Sequence, residues 1–234
     1  MNLPSVFVLA VVSFCAVALP AVAEVALKHE ALYDVTLDID GDGKMDRAVL
    51  VLVGPGRADF GELTKDRYGI GEGERVDLHV YLGEGAAPLD ISRKPSFVKE
   101  NIVDVEQTNW VQPPESRGKG ALVVTSVYGW GASKSMGEGL TIIYRGGEFL
   151  VAGYTLDWEW ATAVNTPVFD VKTSDGTCDI NFLAGKGDVS FDGNAKKPLK
   201  GKFKTTRLAD WSEKKRPKIC DSMMSRGIER SMKE

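Results

Sequence analysis

The chain has 234 residues, with 29 lysines and arginines against 33 aspartates and glutamates, and its formal net charge at pH 7 is −4. A nucleic-acid-binding protein would normally carry a basic stripe, and this sequence has none that stands out, so we expect no nucleic-acid partner. Two histidines and three cysteines leave little material for zinc, haem or iron–sulfur chemistry.

Residues 1–23 have the pattern of a secretory signal peptide. They include no charged side chain, the run from 6 to 19 is almost wholly apolar, and the segment ends in Ala21-Val22-Ala23. A triplet of this small-x-small type precedes a cleavage site. We therefore predict cleavage after Ala23, a periplasmic or secreted protein, and no membrane insertion after cleavage. The alternative is an uncleaved anchor, because the apolar run is nearly long enough to span a bilayer.

Residues 24–209 are predicted to form one all-β domain of mainly antiparallel sheets, sandwich-like or propeller-like. Short apolar or alternating runs, bounded by Gly, Asp, Asn or Pro, are typical of strands. They cover residues 33–39, 48–53, 76–82, 121–128, 140–144, 148–152, 168–171 and 178–182. Paired glycines in residues 145–148 predict a two-residue hairpin turn. Asp-Gly pairs predict further turns at 174–177 and 191–194.

Residues 210–234 are predicted to form a charged connector and a short C-terminal helix. The helix would run from Met223 to Met232, capped by Asp221 or Ser222, after Pro217 has ended the preceding segment. Removal of the signal would leave two cysteines, Cys178 and Cys220, and an even number in an exported chain favours one disulfide. Two unrelated buried thiols are the alternative.

The loop at residues 38–46 has the pattern D-x-D-G-D-G-x-x-D, with Asp38, Asp40, Asp42 and Asp46 as its carboxylates. A turned backbone can direct these groups at one ion, and calcium takes six to eight oxygen ligands. The Lys44 carbonyl is placed to serve as a further ligand. An EF-hand would need a glutamate at its twelfth position, which here is valine. An acidic turn without metal is the alternative.

With the strand-like residues that follow it, this loop resembles the calcium loops of FG-GAP and VCBS repeats. The resemblance covers about residues 31–90, including 46–51 and 78–85. It implies that Asp38, Asp40, Asp42 and Asp46 are side-chain ligands and that Lys44 is a carbonyl ligand. We expect a structural ion, because a loop that fills the coordination sphere of its own ion leaves no open position for a substrate.

Three tryptophans offer a different interpretation. Trp158 and Trp160 lie two residues apart and would share one face of a strand, and Trp130 lies in a glycine-rich stretch. Such rings can bind a glycan or a protein, although tryptophans also fill β-protein cores. Asp157 and Glu159 alternate with them and offer a carboxylate pair for a hydrolase.

The sequence as a whole therefore predicts an exported, non-enzymatic β protein in which one calcium ion rigidifies a hairpin. A glycan- or protein-binding module that uses the three tryptophans is the alternative, and a periplasmic hydrolase is a more distant one. The sequence predicts no particular ligand and no oligomeric state.

Overall fold

The computed structural model describes residues 27–55, 70, 73–103, 110–118, 120–129, 134–164 and 170–231. Within these residues, thirteen β-strands in two antiparallel sheets precede one α-helix. The predicted all-β class with a short C-terminal helix is confirmed. The predicted signal peptide and Trp130 lie outside the described residues.

The small sheet has four strands in the order β1-β2-β3-β4. They are β1 (Lys28–Leu37), β2 (Asp46–Gly54), β3 (Arg75–Tyr81) and β4 (Phe97–Lys99). β1 and β2 form a hairpin whose last pair joins Leu37 to Asp46. The residues between these strands, 38–45, are therefore the turn of this hairpin, and we call them the acidic loop.

The large sheet has nine strands. Its main order is β12-β11-β10-β9-β8-β7-β5, while β6 pairs with β7 and β13 pairs with β9. The strands are β5 (Trp110–Val111), β6 (Glu115–Arg117), β7 (Ala121–Gly129), β8 (Lys134–Arg145), β9 (Glu148–Val164), β10 (Asp170–Asn181), β11 (Lys186–Phe191), β12 (Lys197–Pro198) and β13 (Thr206–Arg207).

Two of the three predicted turns are present. Gly146 and Gly147, with φ of 63° and 85°, join β8 to β9, and Arg145 pairs with Glu148. The turn at 191–194 follows β11. The turn predicted at 174–177 is wrong, because β10 runs straight through these residues. Gly176 lies there against the Trp158 indole, where a Cβ would collide with the ring.

The two open sheets share one hydrophobic core, which is a sandwich-like arrangement. Alternate residues of β2 face it, and Leu50 is a fully buried example. The residues between them, such as Val51, pack on the opposite face of the small sheet in a second cluster. Phe97 of β4 packs on Phe149 of β9 with ring centroids 4.6 Å apart, so the small sheet covers part of the inner face of the large sheet.

The C-terminal helix α1 (Lys218–Ser231) covers another part of that inner face, over β9, β10 and β11. It begins five residues before the predicted start at Met223, because Pro217 opens the helix as well as ending the connector; its carbonyl accepts the Cys220 N–H at 2.9 Å. The predicted disulfide is confirmed: Cys178 of β10 bonds Cys220 of α1, with Cα atoms 5.5 Å apart. Both cysteines are fully buried.

Candidate metal centre

The acidic loop, residues 38–45, reverses the chain between β1 and β2. Gly41 and Gly43 have φ of 76° and 85°. No atom lies within 4 Å of where either Cβ would stand, so the backbone conformation, rather than crowding, favours glycine at both positions. The sequence places glycine at the two points where the loop must turn into the left-handed region.

This turn brings three carboxylates together. One oxygen each from Asp38, Asp40 and Asp42 lies within 4.8 Å of the others. Calcium–oxygen distances are about 2.3–2.6 Å, so two ligands on opposite sides of one ion stand about 5 Å apart. Asp38 and Asp40 are half-buried and Asp42 is exposed. The group can therefore hold a metal ion.

Backbone N–H groups of the same loop orient these carboxylates. Asp38 accepts hydrogen bonds from Gly41 at 2.8 Å and from Gly43 at 3.1 Å. Asp40 accepts one from the Asp42 N–H at 3.1 Å, and Asp42 accepts one from the Lys44 N–H at 2.8 Å. Each carboxylate oxygen has two lone pairs, so it can accept an N–H and still bind a cation.

Lys44 lowers the pKa of Asp42, first through its N–H and also through its ammonium group. The ammonium nitrogen lies 3.3 Å from Asp42 Oδ2 and the side chain is largely exposed. The ammonium group thus pairs with Asp42 from the solvent side. The Lys44 side chain therefore interacts with Asp42, whereas the Lys44 backbone carbonyl is the predicted metal ligand.

Asp46 lies outside the group of three and holds the base of the loop. It is fully buried, and its two oxygens accept the N–H groups of Ile39 at 2.8 Å and Gly83 at 2.7 Å. Gly85 donates to the Met45 carbonyl at 2.6 Å. The turn that follows β3 is therefore fastened to the acidic loop through Asp46.

Contacts between the neighbourhood of the loop and distant parts of the sequence also stabilise the loop, and the sequence pattern did not predict them. Arg47 bonds Asp34 at 3.1 Å and the carbonyls of Gly85 and Ala87 at 2.9 and 2.7 Å. Gly120 lies so close that a Cβ would stand 2.6 Å from the Asp38 carbonyl oxygen. No local pattern predicts these contacts, since the partners lie in β1, in the turn after β3 and in the β6–β7 turn.

Among the described tryptophans, Trp158 does not lie on the surface. Trp158 is only 3% exposed and packs edge-on against Phe191 at 5.8 Å, so its ring is in the core, the alternative considered for it. Trp160 is partly exposed, with the Lys134 ammonium 4.0 Å from its ring centroid. Trp130 lies outside the described residues.

The carboxylates proposed for a hydrolase lie elsewhere. Asp157 and Glu159 are exposed and alternate with buried Trp158 along β9, so they face outwards while Trp158 faces the core. Glu159 pairs across the strands with Asp175 and with Ser135. The two acids thus project from the outer face of the large sheet.

No known protein family, curated protein or solved structure matches this chain. Within the part of the chain that the structure describes, no helix has the length and apolar character needed to cross a membrane. The chemistry of the site must therefore be argued from its own residues.

Proposed function

We propose that the protein is an exported, non-enzymatic β protein in which one calcium ion binds the acidic loop and rigidifies the β1–β2 hairpin. The observation that carries the proposal is the convergence of Asp38, Asp40 and Asp42, with one oxygen of each within 4.8 Å of the others. The ion would relieve the mutual repulsion of three carboxylates held this close.

The donor set favours calcium among the common metals. It consists of oxygens alone, which suits hard cations, and a flexible loop tolerates the variable geometry of calcium better than the strict octahedron of magnesium. We propose that the Lys44 carbonyl and Asp46 complete the protein ligands. The Asp46 carboxylate, which already accepts two N–H groups, would have to move towards the other three.

Two observations support export. The Cys178–Cys220 disulfide is the kind of bond that forms and persists in oxidising compartments. The predicted signal peptide agrees with it. If affinity lies in the range of extracellular modules, about 10⁻⁴–10⁻³ M, the site is empty in the cytosol and fills after export.

Thermal unfolding of the purified protein in EDTA and across a calcium titration tests this function. At a hundred times the dissociation constant, calcium adds about 2.7 kcal/mol, which raises Tm by several degrees. We expect this rise with calcium and not with equal magnesium. A flat titration would contradict the proposal.

The double variant Asp40→Asn, Asp42→Asn separates charge from loop geometry. Asparagine keeps the oxygen acceptors for the Asp42 and Lys44 N–H groups but removes two negative charges. We expect a Tm in EDTA that is equal to or above that of the wild type, since the repulsion is relieved, and loss of most of the calcium response. The control is Asp192→Asn, which changes an Asp-Gly turn after β11 and should keep the full response. An equal response in the double variant would reject the site.

A further inference from the structure

A cleft of about 530 Å³ lies on the large sheet, between the small sheet and the C-terminal segment that leads to α1. One wall is residues 99–103, which start at the last residue of β4 in the small sheet. The other is residues 211–213, which lead towards α1. The floor consists of Val124 and Ser126 of β7 with Glu138 and Leu140 of β8. We call it the Glu138 cleft. Its volume falls within the usual range of small-molecule sites, about 300–1,000 Å³.

Glu138 is a buried carboxyl group on that floor, with only 8% of the residue exposed. The Tyr128 hydroxyl donates to its Oε2 at 2.7 Å. Arg216 Nη1 lies 3.7 Å from the same oxygen. Burial nevertheless raises the pKa of Glu138.

The polar network around Glu138 is incomplete as it stands. Arg216 Nη1 is buried and has no hydrogen-bond partner among the described residues, since 3.7 Å from Glu138 is too long for one. The arginine is instead shared with Asp221 at 3.4 Å and Glu213 at 4.0 Å. Glu138 is thus only partly neutralised by its cationic neighbour. A buried carboxylate whose cationic neighbour is shared with two other carboxyl groups favours a cationic ligand.

The other lining groups indicate which ligand fits. Glu100, Glu138 and Glu213 contribute three carboxyl groups to the cleft, against the single ammonium group of Lys99. Burial lowers the pKa of Lys99. Five apolar side chains and three polar ones complete the lining: Ile102, Val103, Val124, Leu140 and Trp211, with Asn101, Ser126 and Ser212. The lining therefore combines apolar side chains on the floor and on both walls with one buried carboxyl group, that of Glu138, on the floor.

We propose that the Glu138 cleft binds a small apolar molecule that carries one primary ammonium group. The ammonium group donates to the Glu138 carboxylate, and the apolar body packs between Val124, Leu140 and Trp211. This inference does not depend on the calcium site, which lies on the hairpin turn of the small sheet. The ligand should bind equally in EDTA and in calcium.

Binding of a cation to Glu138 is coupled to its proton. The groups that face it are Tyr128 from β7, Tyr154 from β9, and Arg216 and Asp221 from the C-terminal segment. On the cleft walls stand Lys99, Glu100 and Glu213. Because the ammonium ion needs the ionised carboxylate, affinity rises with pH until Glu138 is fully ionised, by about tenfold per unit at most.

The test uses the purified full protein and three benzyl compounds of nearly equal shape: benzylammonium, neutral benzyl alcohol and anionic benzoate. Binding is followed by amide chemical shifts of residues 99–103 and 211–213. We expect saturable binding of benzylammonium, at least about tenfold tighter than either other probe, since a charge-assisted hydrogen bond distinguishes them. Equal binding of the three probes, preference for benzoate, or no saturable binding would overturn the proposal.

Glu138→Gln should weaken benzylammonium binding by about tenfold or more while benzyl alcohol binding changes little. The matched control is Glu159→Gln on the outer face of the same sheet, which should bind as the wild type does. Unchanged binding in Glu138→Gln would reject the assignment. If that variant fails to fold, the pH dependence of the wild type decides: a rise with pH supports the assignment and a pH-independent affinity rejects it.

Discussion

At the scale of single residues, His79 shows what burial does to a titratable group. It lies on β3 with 7% exposure, between Asp77 and Tyr81, which are also buried on the same strand face. Its Nδ1 has no hydrogen-bond partner in the described part of the chain. Burial lowers the pKa of His79 and outweighs the attraction of Asp77, and His29, 6.4 Å away between ring centroids, lowers it further.

This shift makes stability depend on pH with a definite sign. An unfolded histidine titrates near pH 6.5, and the folded one titrates lower, so the folded state binds fewer protons in between. The contribution of neutral His79 to the free energy of unfolding is fully present above pH 6.5. It is lost as the pH falls towards the pKa of His79 in the folded state. We expect His79→Leu to reduce the loss in urea midpoint between pH 7.5 and pH 5. His29→Leu on exposed β1 removes only the smallest contribution to the His79 shift and should retain most of the loss. Equal losses in wild type and His79→Leu would contradict this account.

A second residue-scale prediction concerns Lys44, whose ammonium occupies the neighbourhood of Asp42 that a calcium ion would share. Lys44→Gln keeps the backbone carbonyl and removes this competing charge. We expect calcium to bind roughly two- to fivefold tighter, the effect of one exposed charge pair, as measured by calorimetric titration. The control is Lys196→Gln, which removes a similar pair with Asp188 at 3.2 Å far from the loop. Weaker calcium binding in Lys44→Gln would show that the side chain assists the site.

At the scale of elements, β10 shows how tertiary packing overrides a local turn signal. The Asp-Gly pair at 175–176 predicts a turn, yet the strand continues through it because Gly176 makes room for the Trp158 indole. The same position lies close to the Ser190 carbonyl of β11. Glycine is therefore needed here for close packing across three strands rather than for positive φ.

Gly176→Ala should accordingly destabilise the protein by about 1–3 kcal/mol, because the new Cβ overlaps the ring and the indole must move. Gly137→Ala on β8 is the matched control, since its Cβ would meet only Asp157 at an ordinary 3.9 Å. Chemical denaturation of both variants measures the difference. Equal stabilities would show that Trp158 can shift without cost.

Local patterns predicted the centres of the strands better than their lengths. Residues 140–144 and 148–152 are apolar and flank paired glycines, so this hairpin could be predicted. β8 nevertheless begins at Lys134 and β9 ends at Val164. Both strands include glycines and charged residues that interrupt the apolar pattern. Cross-strand pairing supplies the missing stability there, and pairing partners cannot be identified from one strand alone.

In the acidic loop, too, contacts within one short segment could be predicted, and contacts between distant segments could not. Asp38, Asp40 and Asp42 and the two glycines lie within six residues, so their convergence follows from a turn. The bonds from Gly83 to Asp46 and from Arg47 to Gly85 span 37 and 38 residues. They depend on how β3 pairs with β2, which the sequence does not show locally.

At the scale of the whole molecule, the disulfide connects the helix to the large sheet. Cys178 and Cys220 are separated by 42 residues, and closing a loop of this length stabilises the folded state by up to about 4 kcal/mol on the chain-entropy model. We expect Cys178→Ala, Cys220→Ala to lower the free energy of unfolding by about 2–4 kcal/mol, as measured by urea denaturation. The calcium-dependent rise in Tm should persist in this variant, because the acidic loop belongs to the small sheet. Loss of that rise would reveal coupling between the two ends of the fold.

The position of the disulfide also determines what happens to a cut chain. Exposed stretches between β10 and α1, such as residues 192–198, lie inside the loop that Cys178 and Cys220 close. A protease that cleaves there produces two fragments that remain covalently joined, one with most of the sheets and the other with the helix. Such a nicked molecule would migrate as a single species until a reducing agent released the smaller fragment. The wall that residues 211–213 give to the Glu138 cleft would then stay tethered beside Glu138 after the backbone had been severed.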